Sequence, residues 1–567
     1  MRNLRASLIF IIIFIFGATI IGRLFYIQIL KHKDYLALAK GQQVLFESIN
    51  PNRGEIFARD KSDGYYILAT NKESSYVLAS PEEISNQEET AEKLSKIINL
   101  EKDKILEAFN QQGSAFVSIK EDLTKEEKES IKNLKIKGIY LNDKILRYYP
   151  EGEFCSNILG FLGGEGIGQY GIEAFYNKEL SGQEGLIRGE KSSRGDLVFF
   201  DSEKSSLPEE GFDLILNIDF YIQLKAEELL KRAKEDLDIE NGQIIVAEPK
   251  TGKIIAMTSL FNFNPNEYSK YDFSIFINSV SQKIFEPGSV FKPITMAIGL
   301  EEGKITPQTT YIDEGFVKVG PDTIYNYDRR TYGERTMTEV LEKSINTGAV
   351  FVEEQIPHDV FLNYIEKFGI FDKTNIDLQS EVSSKNEELK KGYELNFITA
   401  AFGQGIEMTP IQLVRAFSSI ANGGKLMKPY LVEKIIKKNG QTIEVQPETQ
   451  NPSVISQNTA SKVTAMLVSV VENGFGKKAK VPGYYVAGKT GTAQVSWSSM
   501  GINKAGYSDK TVQSFIGFAP AFDPKFLILI KLDNPKTKTA EYSAVPIFHD
   551  LAKYIVDYYQ IPPDYEE

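Results

Sequence analysis

The sequence has few of the side chains on which metal and nucleophilic chemistry usually depend. It has one cysteine, Cys155, which excludes a disulfide within the chain and any metal site built from several cysteines. Its three histidines are His32, His358 and His549, so a His-based triad or a histidine-rich metal site would need one of them. We therefore expect no metal and no cofactor. If the chain carries a nucleophile, we expect a residue other than histidine to take its proton.

An excess of positive charge is also missing. The net charge is -12, which argues against a nucleic-acid-binding protein, because such proteins usually show a basic patch or a high isoelectric point. The hydrophobic content of 42% and the charged content of 25% are ordinary for globular proteins. A length of 567 residues predicts two to four folded units rather than a single core.

The sequence has one long apolar run, at its N-terminus, and none after it. The 17 residues Ala6–Gly22 carry no charge, and apolar residues continue beyond them, which predicts a membrane-spanning helix. Arg2 and Arg5 precede the run and favour a cytoplasmic N-terminus, with the rest of the chain outside the cytosol. A cleaved signal peptide is the alternative, but the small-residue site Ala37–Ala39 lies well beyond the run. The sequence therefore favours an uncleaved single-pass anchor in a bacterial cell membrane.

The remainder changes character near Gly211. Before it, short strand-like segments alternate with helical segments rich in Glu and Lys. After it come a strand, a long amphipathic helix and two strands joined by a Pro-Lys-Thr-Gly turn, then helices and further strands. This order predicts an α/β or α+β catalytic domain. The predicted division is a cytoplasmic tail at 1–5, an anchor helix at 6–30, a mixed non-catalytic domain at 31–211 and a catalytic domain at 212–567.

Two nucleotide-binding motifs are present, and we interpret both as coincidental. Gly166, Gly168 and Gly171 form GxGxxG, but the surrounding segment is too rich in glycine to open a helix cleanly. The segment Gly483–Thr490 matches GxxxxGK[ST], yet strand-forming residues lie within it, and a Thr- and Ser-rich segment replaces the helix that should follow.

A third set of motifs offers another interpretation of Lys489, the lysine of the GxxxxGK[ST] match. The chain carries Ser289 three residues before Lys292, then Ser344 two residues before Asn346, and finally Lys489-Thr490-Gly491. Each triplet alone is common. Together and in this order they match the SxxK, SxN and KTG signature of β-lactamases and penicillin-binding proteins.

The chemistry of these residues suits acyl transfer. A serine hydroxyl is a weak nucleophile until a base takes its proton, and a desolvated lysine can serve as that base. Lys292 lies on the same helical face as Ser289 if a helix begins at Glu-Pro-Gly-Ser. Ser289 at a helix start is equally typical of an N-cap, so the pair alone does not decide between the two interpretations.

The other motif residues complete a substrate site. We expect Ser344 to relay a proton and Asn346 to bind a substrate amide or orient Lys292, both from a loop. We expect Lys489, Thr490, Gly491 and Thr492 on a strand edge to bind a peptide by strand addition, with Lys489 facing a substrate carboxylate. The backbone N–H groups of Ser289 and Thr492 would form an oxyanion hole.

The chain resembles class B penicillin-binding proteins over nearly its full length. This resemblance implies an α+β multi-domain fold: an N-terminal transmembrane helix, an elongated mixed pedestal domain of the dimerisation type, and a penicillin-binding transpeptidase domain with an antiparallel sheet flanked by helices. The segments that carry it are RGEI at 53–56, RYYP at 147–150, ILGFLG at 158–163, GQYGIE at 168–173, EPGSVFKP at 286–293, AFGQGIEMTPIQL at 401–413, IANGG at 420–424 and AGKTGTAQ at 487–494.

The resemblance implies a peptidoglycan D,D-transpeptidase. Ser289 would attack the D-Ala-D-Ala bond of a stem peptide on a lipid-linked precursor or glycan strand, release terminal D-Ala, and pass the acyl group to a neighbouring amine. β-Lactams would acylate Ser289, and a polytopic glycan polymerase would be a partner. The sequence leaves open a D,D-carboxypeptidase, a β-lactamase or β-lactam sensor, and a cell-wall scaffold that has kept the fold. It also leaves open whether the role is in division or elongation.

Overall fold

The computed structural model describes residues 2–31, 44–49, 51–110, 115–191, 197–199, 206–504 and 506–566. His32 and the segment Ala37–Ala39 lie outside these residues. The chain divides into two compact units. One comprises residues 1–52 with 181–211, and the other comprises residues 53–180 with 212–567.

Eighteen α-helices are assigned within the described residues. They are α1 Arg2–Phe25, α2 Gln87–Ile98, α3 Lys102–Phe109, α4 Lys125–Leu134, α5 Ser156–Leu159, α6 Gly171–Phe175, α7 Asn177–Ser181, α8 Phe220–Leu237, α9 Ser279–Gln282, α10 Lys292–Glu301, α11 Met337–Glu342, α12 Asn346–Glu354, α13 His358–Lys367, α14 Glu387–Lys390, α15 Glu394–Ala400, α16 Pro410–Ala421, α17 Gln457–Asn473 and α18 Ala544–Tyr559. A π-helical turn, Tyr26–Leu30, follows α1. The short 3-10 helices are Pro81–Glu83, Pro265–Lys270, Phe273–Phe276, Gly288–Phe291, Tyr327–Arg329, Lys477–Ala479, Ser498–Met500 and Ala540–Tyr542.

The strands within the same residues are β1 Val44–Ile49, β2 Ile56–Arg59, β3 Tyr65–Ala79, β4 Val117–Leu123, β5 Ile139–Tyr148, β6 Phe161–Leu162, β7 Gly168–Gln169, β8 Gly185–Lys191, β9 Leu197–Phe199, β10 Asp213–Asp219, β11 Asn241–Ala247, β12 Ile254–Ser259, β13 Thr310–Asp313, β14 Phe316–Val319, β15 Asp322–Tyr325, β16 Gly333–Thr336, β17 Leu426–Met427, β18 Val432–Ile436, β19 Thr442–Glu444, β20 Thr449–Asn451, β21 Ala487–Ser496, β22 Tyr507–Ala519 and β23 Phe526–Asp533.

The first unit contains the N-terminal helix and a small sheet. Residues Phe10–Leu30 form a 21-residue apolar stretch of mean hydropathy 2.3, whose side chains are not buried by protein. Such a stretch is long enough to cross the hydrocarbon core of a bilayer. In the same unit, β1, β8 and β9 form an antiparallel sheet in the order β1-β8-β9.

The second unit is built around a five-stranded antiparallel sheet in the order β12-β11-β23-β22-β21. Alternate residues of its central strand face opposite sides, as the two-residue period of a strand requires. Ile528 and Ile530 pack in the same core cluster as residues of α8 and α18. Leu527 and Leu529 pack in the core formed with α10, α16 and α17. The sheet is therefore covered by helices on both faces, and β21 forms one of its edges.

A second, mixed sheet joins the parts of the unit that precede and follow residues 181–211. Its strand order is β19-β18-β10-β2-β3-β4, with β5 also paired to β3. The parallel pair β10 and β2 places Leu214 opposite Ile56. The mixed sheet thus connects the N-terminal part of the unit to the residues that follow Phe212.

A buried ion cluster holds the N-terminal part together. Glu173 is fully buried between Arg53 and Arg147, with both charge-assisted hydrogen bonds at 2.7 Å. Tyr149 also donates to Glu173, at 3.2 Å. Burial alone would raise the pKa of the Glu173 carboxyl, but the charges and hydrogen bonds of the two arginines outweigh it, so that this pKa is lowered.

The predicted α+β architecture, with an N-terminal apolar helix and an antiparallel sheet flanked by helices, is confirmed. The GxGxxG segment does not form a dinucleotide-binding turn, because the two-residue strand β7 leads into the five-residue helix α6. The boundary predicted between residues 211 and 212 stays a prediction.

Candidate active site

Ser289 lies in a tight turn that directly precedes a buried helix. The 3-10 helix Gly288–Phe291 leads into α10, and Pro293 occupies the first turn of α10, where a missing N–H costs little. Neither of these helices has a side-chain hydrogen bond at its N-cap. The N-cap interpretation of Ser289 is therefore wrong. Its half-buried side chain lines a cavity instead.

Close backbone packing fixes this turn. Gly288 has a φ of +61°, a left-handed conformation that favours glycine, and its N–H donates to the Gly403 carbonyl at 2.9 Å. Gly491 on β21 packs from the other side: a Cβ there would lie 2.6 Å from Ser514 Oγ and 2.9 Å from Val290 Cγ1. The motif glycine therefore lets strand β21 approach the turn that carries Ser289.

Lys292 is fully buried at the start of α10. Its Nζ donates to the Ser344 carbonyl at 2.6 Å and to Asn346 Oδ1 at 2.8 Å, and lies 3.3 Å from Ser344 Oγ. The side chain of Lys292 therefore joins the first and second motifs, which lie more than fifty positions apart in the sequence.

The second motif is a bend between two helices. Helix α11 ends at Glu342 and α12 begins at Asn346, so Ser344 lies in the connecting loop as predicted, whereas Asn346, also expected in a loop, is the first residue of α12. Ser344 has a φ of +55°, which is uncommon for a non-glycine residue and marks a constrained position. Asn346 is held in both directions, because its Nδ2 donates to the Tyr325 carbonyl at 3.0 Å while Oδ1 accepts from Lys292.

The third motif lies on the edge strand β21. Lys489 is fully buried, and its Nζ donates to Ser344 Oγ and to the Thr490 carbonyl, both at 3.0 Å. Thr490 and Thr492 line the cavity. Ser344 Oγ therefore lies between the Nζ atoms of two buried lysines. The P-loop interpretation of Gly483–Thr490 fails, because Lys489 lies within a strand that continues to Ser496 instead of opening a helix.

Burial sets the protonation of both lysines. Desolvation lowers the pKa of Lys292 well below its ordinary value, and the charge of Lys489 lowers it further. Desolvation also lowers the pKa of Lys489, to about 7. The buried Lys292 amine therefore gives up its proton more readily than an exposed lysine does, which favours its neutral form.

Sequence reasoning missed a buried polar network that positions Asn346. The Oδ1 atom of Asn326 accepts from the backbone N–H groups of Asn346 and Thr347, at 3.0 and 3.1 Å, and so satisfies the free N–H groups at the start of α12. The buried carboxylate of Asp313 accepts in turn from Asn326 Nδ2 at 2.9 Å and from Thr347 Oγ1 at 2.6 Å. Asp313 and Asn326 carry no local motif, so nothing in the sequence could have identified them.

The motif residues open onto a cavity of about 860 Å³. Ser289, Ser344, Asn346, Thr490 and Thr492 all contribute to its wall. Its rim contains aromatic and cationic side chains that no motif predicts. These are Tyr325, Tyr327, Arg330, Tyr332, Lys343, Phe475, Lys538 and Tyr542.

Neither described histidine lines this cavity. His358 stacks on Phe397 with ring centroids 3.9 Å apart, and His549 Nδ1 lies 2.7 Å from the Lys480 carbonyl. Cys155 is buried and unpaired. Among the described residues, Lys292 has the buried amine that lies nearest in sequence to Ser289.

Comparison with known proteins places the chain among cell-wall enzymes. Residues 242–553 match the Penicillin binding protein transpeptidase domain family, and residues 48–216 match the Penicillin-binding Protein dimerisation domain family. Stage V sporulation protein D of Bacillus subtilis is 32% identical over 94% of this chain and 82% of its own length. The Peptidoglycan D,D-transpeptidase FtsI homolog of Mesostigma viride is 28% identical over 99% of this chain and 96% of its own.

A solved structure shares the fold. Penicillin Binding Protein 2X from Streptococcus thermophilus superposes with a TM-score of 0.74 at 23% identity, covering 90% of this chain and 80% of that one. At this identity the likeness concerns the fold alone.

Proposed function

This chain belongs to the class B penicillin-binding proteins, and on that premise we propose that it is a peptidoglycan D,D-transpeptidase that works through a serine acyl-enzyme. The observation that carries the proposal is the environment of the buried Lys292 amine, which contacts Ser344 and Asn346. Lys292 follows Ser289 by one helical turn, and Ser289 lines the open cavity. These contacts join the three motifs in space, which their spacing in the sequence alone does not establish.

In the acylation step, Ser289 Oγ attacks the carbonyl carbon between the two D-alanines. The proton of the hydroxyl passes to the neutral amine of Lys292, and the C–N bond of the peptide breaks. The departing amine takes that proton from Lys292 and leaves as D-alanine, so that Lys292 is neutral again and Ser289 is left as an ester. The lowered pKa of Lys292 supports this role, because only the uncharged amine can accept a proton.

The contacts of Lys292 support an available lone pair. A neutral amine has two N–H groups, and donating one to the Ser344 carbonyl and one to Asn346 Oδ1 uses both of them. The lone pair is then left for a serine hydroxyl, and the Ser344 hydroxyl oxygen lies 3.3 Å from Lys292 Nζ.

Lys489 acts through Ser344. Its Nζ donates to Ser344 Oγ at 3.0 Å, so the Ser344 hydroxyl can pass a proton between the two lysines and the leaving amine. Since Lys489 itself is fully buried, Thr490 and Thr492 contact the substrate carboxylate, and the charge of Lys489 strengthens that contact from within. The N–H groups of Ser289 and Thr492 form the oxyanion hole, where losing one donor typically costs about a hundredfold in rate.

Deacylation by an amine of a second stem peptide completes the cross-link. The amine attacks the ester carbonyl, a new amide forms, and Ser289 Oγ recovers its proton. Attack by water would make the chain a D,D-carboxypeptidase, the same chemistry with a different acceptor. β-Lactams enter the same cavity and leave a stable ester on Ser289.

The apolar N-terminal helix supports a position of this site at the cell wall. The helix Phe10–Leu30 anchors the protein in the bacterial cell membrane with residues 212–567 outside the cytosol. The residues 31–211 serve as a non-catalytic pedestal. A polytopic glycan polymerase is the proposed partner, because cross-linking follows polymerisation of the strands that carry the peptides.

The test is labelling of the full-length, detergent-solubilised chain with fluorescent penicillin. We expect a covalent label on the wild type and none on Ser289→Ala. Ser453→Ala, on an exposed serine, is the matched control and should label fully. Equal labelling of Ser289→Ala and the wild type would refute the assignment of the nucleophile.

A second measurement separates the possible activities. A lipid-linked substrate with a D-Ala-D-Ala stem is incubated with a glycan polymerase and the chain. Release of D-alanine with cross-linked dimers indicates a transpeptidase, whereas release without dimers indicates a carboxypeptidase. A scaffold protein would release no D-alanine.

A further inference from the structure

The rim of the active-site cavity has a charge opposite to that of the whole chain. The chain carries a net charge of -12. Among the described residues that line the cavity and have charged side chains, Arg330, Lys343 and Lys538 are cations, and Glu541 is the single carboxylate. A cavity lined by one sign of charge raises the local concentration of ligands of the other sign. The rim therefore favours an anionic ligand.

Lys343 is the cation most closely tied to the catalytic motifs. It is half-buried, immediately precedes Ser344, and forms the C-terminal cap position of helix α11. Its backbone N–H donates to the Glu339 carbonyl at 2.9 Å, which fixes the main chain. Among the described residues, no carboxylate lies within ion-pair distance of its Nζ. A half-buried ammonium without an anionic partner is unusual, because burial disfavours an unpaired charge.

The two carboxylates next to Lys343 in the sequence are already engaged. Glu339 closes the capping box of α11, where its Oε2 accepts from the Thr336 backbone N–H at 2.9 Å. Its Oε1 lies 3.4 Å from Arg335. Glu342 is buried, and its Oε1 accepts from Ser469 Oγ at 2.5 Å. The charge of Lys343 contributes to the lowered pKa of Glu339, but neither acid forms an ion pair with Lys343, which lines the cavity.

We propose that Lys343, assisted by Lys538, binds a second carboxylate of the donor peptide, located upstream of the scissile D-Ala-D-Ala bond. The ligand class is a peptide with a free side-chain or α-carboxylate in its upstream residues, as opposed to one in which that group is amidated. This inference rests on the proposed function. It adds a preference for donor peptides with a free upstream carboxylate, which the three motifs do not predict.

The positions of the two cations support two separate carboxylate sites. The terminal carboxylate is assigned to Thr490 and Thr492 on strand β21, backed by Lys489. Lys343 lies on the opposite motif, next to Ser344, and Lys538 lies in the loop that follows β23. Because both cations and both threonines line the same cavity, we expect a peptide bound along β21 to reach both sites, with its terminus at one and an upstream residue at the other.

The test compares two donor peptides that differ in one group. Both are N-acylated peptides that end in D-Ala-D-Ala, one with an acidic residue upstream and the other with the corresponding amide. Release of D-alanine by the full-length chain is measured at low salt. We expect the acidic peptide to be preferred by about five- to tenfold in kcat/KM, the range for a charge-assisted contact at a half-buried site. The preference should shrink as the salt concentration rises.

Matched variants locate the effect. Lys343→Gln should remove most of the preference and Lys343→Arg should keep it, while Lys538→Gln should reduce it partly. Lys462→Gln, on an exposed lysine of α17 away from the cavity lining, should leave it unchanged. Acylation by benzylpenicillin, which has one carboxylate, should stay the same in every variant, and thermal melting reports whether each one folds.

The outcomes separate this inference from the proposed function. If wild type and Lys343→Gln prefer the acidic peptide equally, or if the wild type has no preference, the second carboxylate site is refuted while the acyl-enzyme stands. If benzylpenicillin acylates neither the wild type nor Lys343→Gln, the proposed function itself fails. If Lys343→Gln loses benzylpenicillin acylation and the acid preference alike, Lys343 supports the fold of the motif loop, and the specificity site is refuted.

Discussion

Gly491→Ala probes the contact that brings the nucleophile turn against strand β21. A methyl group at residue 491 would lie 2.6 Å from Ser514 Oγ, 2.9 Å from Val290 Cγ1 and 3.4 Å from the Pro287 carbonyl oxygen. Ordinary contacts of this kind are about 3.5–4.0 Å, so Val290 has to retreat by about 0.6–1 Å. Ser514 can rotate its hydroxyl away. Val290 cannot move alone, because it lies in the 3-10 turn next to Ser289.

The expected effect on rate exceeds the effect on stability. Overpacking of a tight site typically costs about 1–3 kcal/mol of folding free energy, which a domain with so large a core can absorb. A displacement of about 1 Å at a reacting atom can cost about a hundredfold in rate. We therefore expect Gly491→Ala to fold and to be acylated by penicillin about a hundredfold more slowly.

The assay is the second-order rate constant for acylation by fluorescent penicillin, measured together with the melting temperature. Gly164→Ala is the control, since a methyl group there meets its nearest atom, Tyr268 Oη, at an ordinary 3.7 Å. The control should keep both the rate and the melting temperature. Wild-type acylation by a folded Gly491→Ala protein would show that this glycine does not position Ser289, and the packing argument would be wrong.

Two further predictions concern protonation. Acylation by penicillin should rise with pH as the Lys292 amine loses its proton, because burial and the charge of Lys489 lower the pKa of Lys292; in Lys489→Gln, the rise should shift to higher pH. This is measured as the acylation rate from about pH 5 to pH 9. Glu173→Gln leaves Arg53 and Arg147 buried without their counter-charge, and should cost about 3–5 kcal/mol of stability in denaturant unfolding at neutral pH. Because the folded state lowers the pKa of Glu173, its ionic stabilisation is present above the unfolded value of about 4.5 and is lost as pH falls through the lower folded value. The difference between wild type and variant should therefore narrow in acid.

These two predictions have their own controls. If the acylation rate of Lys489→Gln rises at the same pH as that of the wild type, the charge of Lys489 does not affect the pKa of Lys292. Glu126→Gln, on an exposed glutamate, should change stability little at any pH. A Glu173→Gln protein as stable as the control would contradict the assigned role of the ion cluster.

The sequence alone predicted the apolar N-terminal helix, the α+β architecture and the three motifs. These features depend on local patterns: an uncharged run, alternating strand periods, and residue types at short fixed spacings. Local spacing also predicted that Ser344 lies in a loop and that Lys489 lies on a strand, but it wrongly assigned Asn346 to the loop, because that residue begins helix α12. It left Ser289 undecided between a helix cap and a nucleophile, because both interpretations place a serine at the start of a helix.

The tertiary structure decided that question. Lys292 and Ser344 lie 52 positions apart in the sequence and Ser344 and Lys489 lie 145 apart, yet their side chains meet in one buried cluster. That burial, together with the charge of Lys489, lowers the pKa of Lys292, and both depend on what the fold packs around the amine. The same holds for Asp313, which supports Asn346 through Asn326, and for Lys343, whose half-buried position follows from the packing around it. Short-range patterns carry none of these contacts, because each depends on residues that only folding brings together.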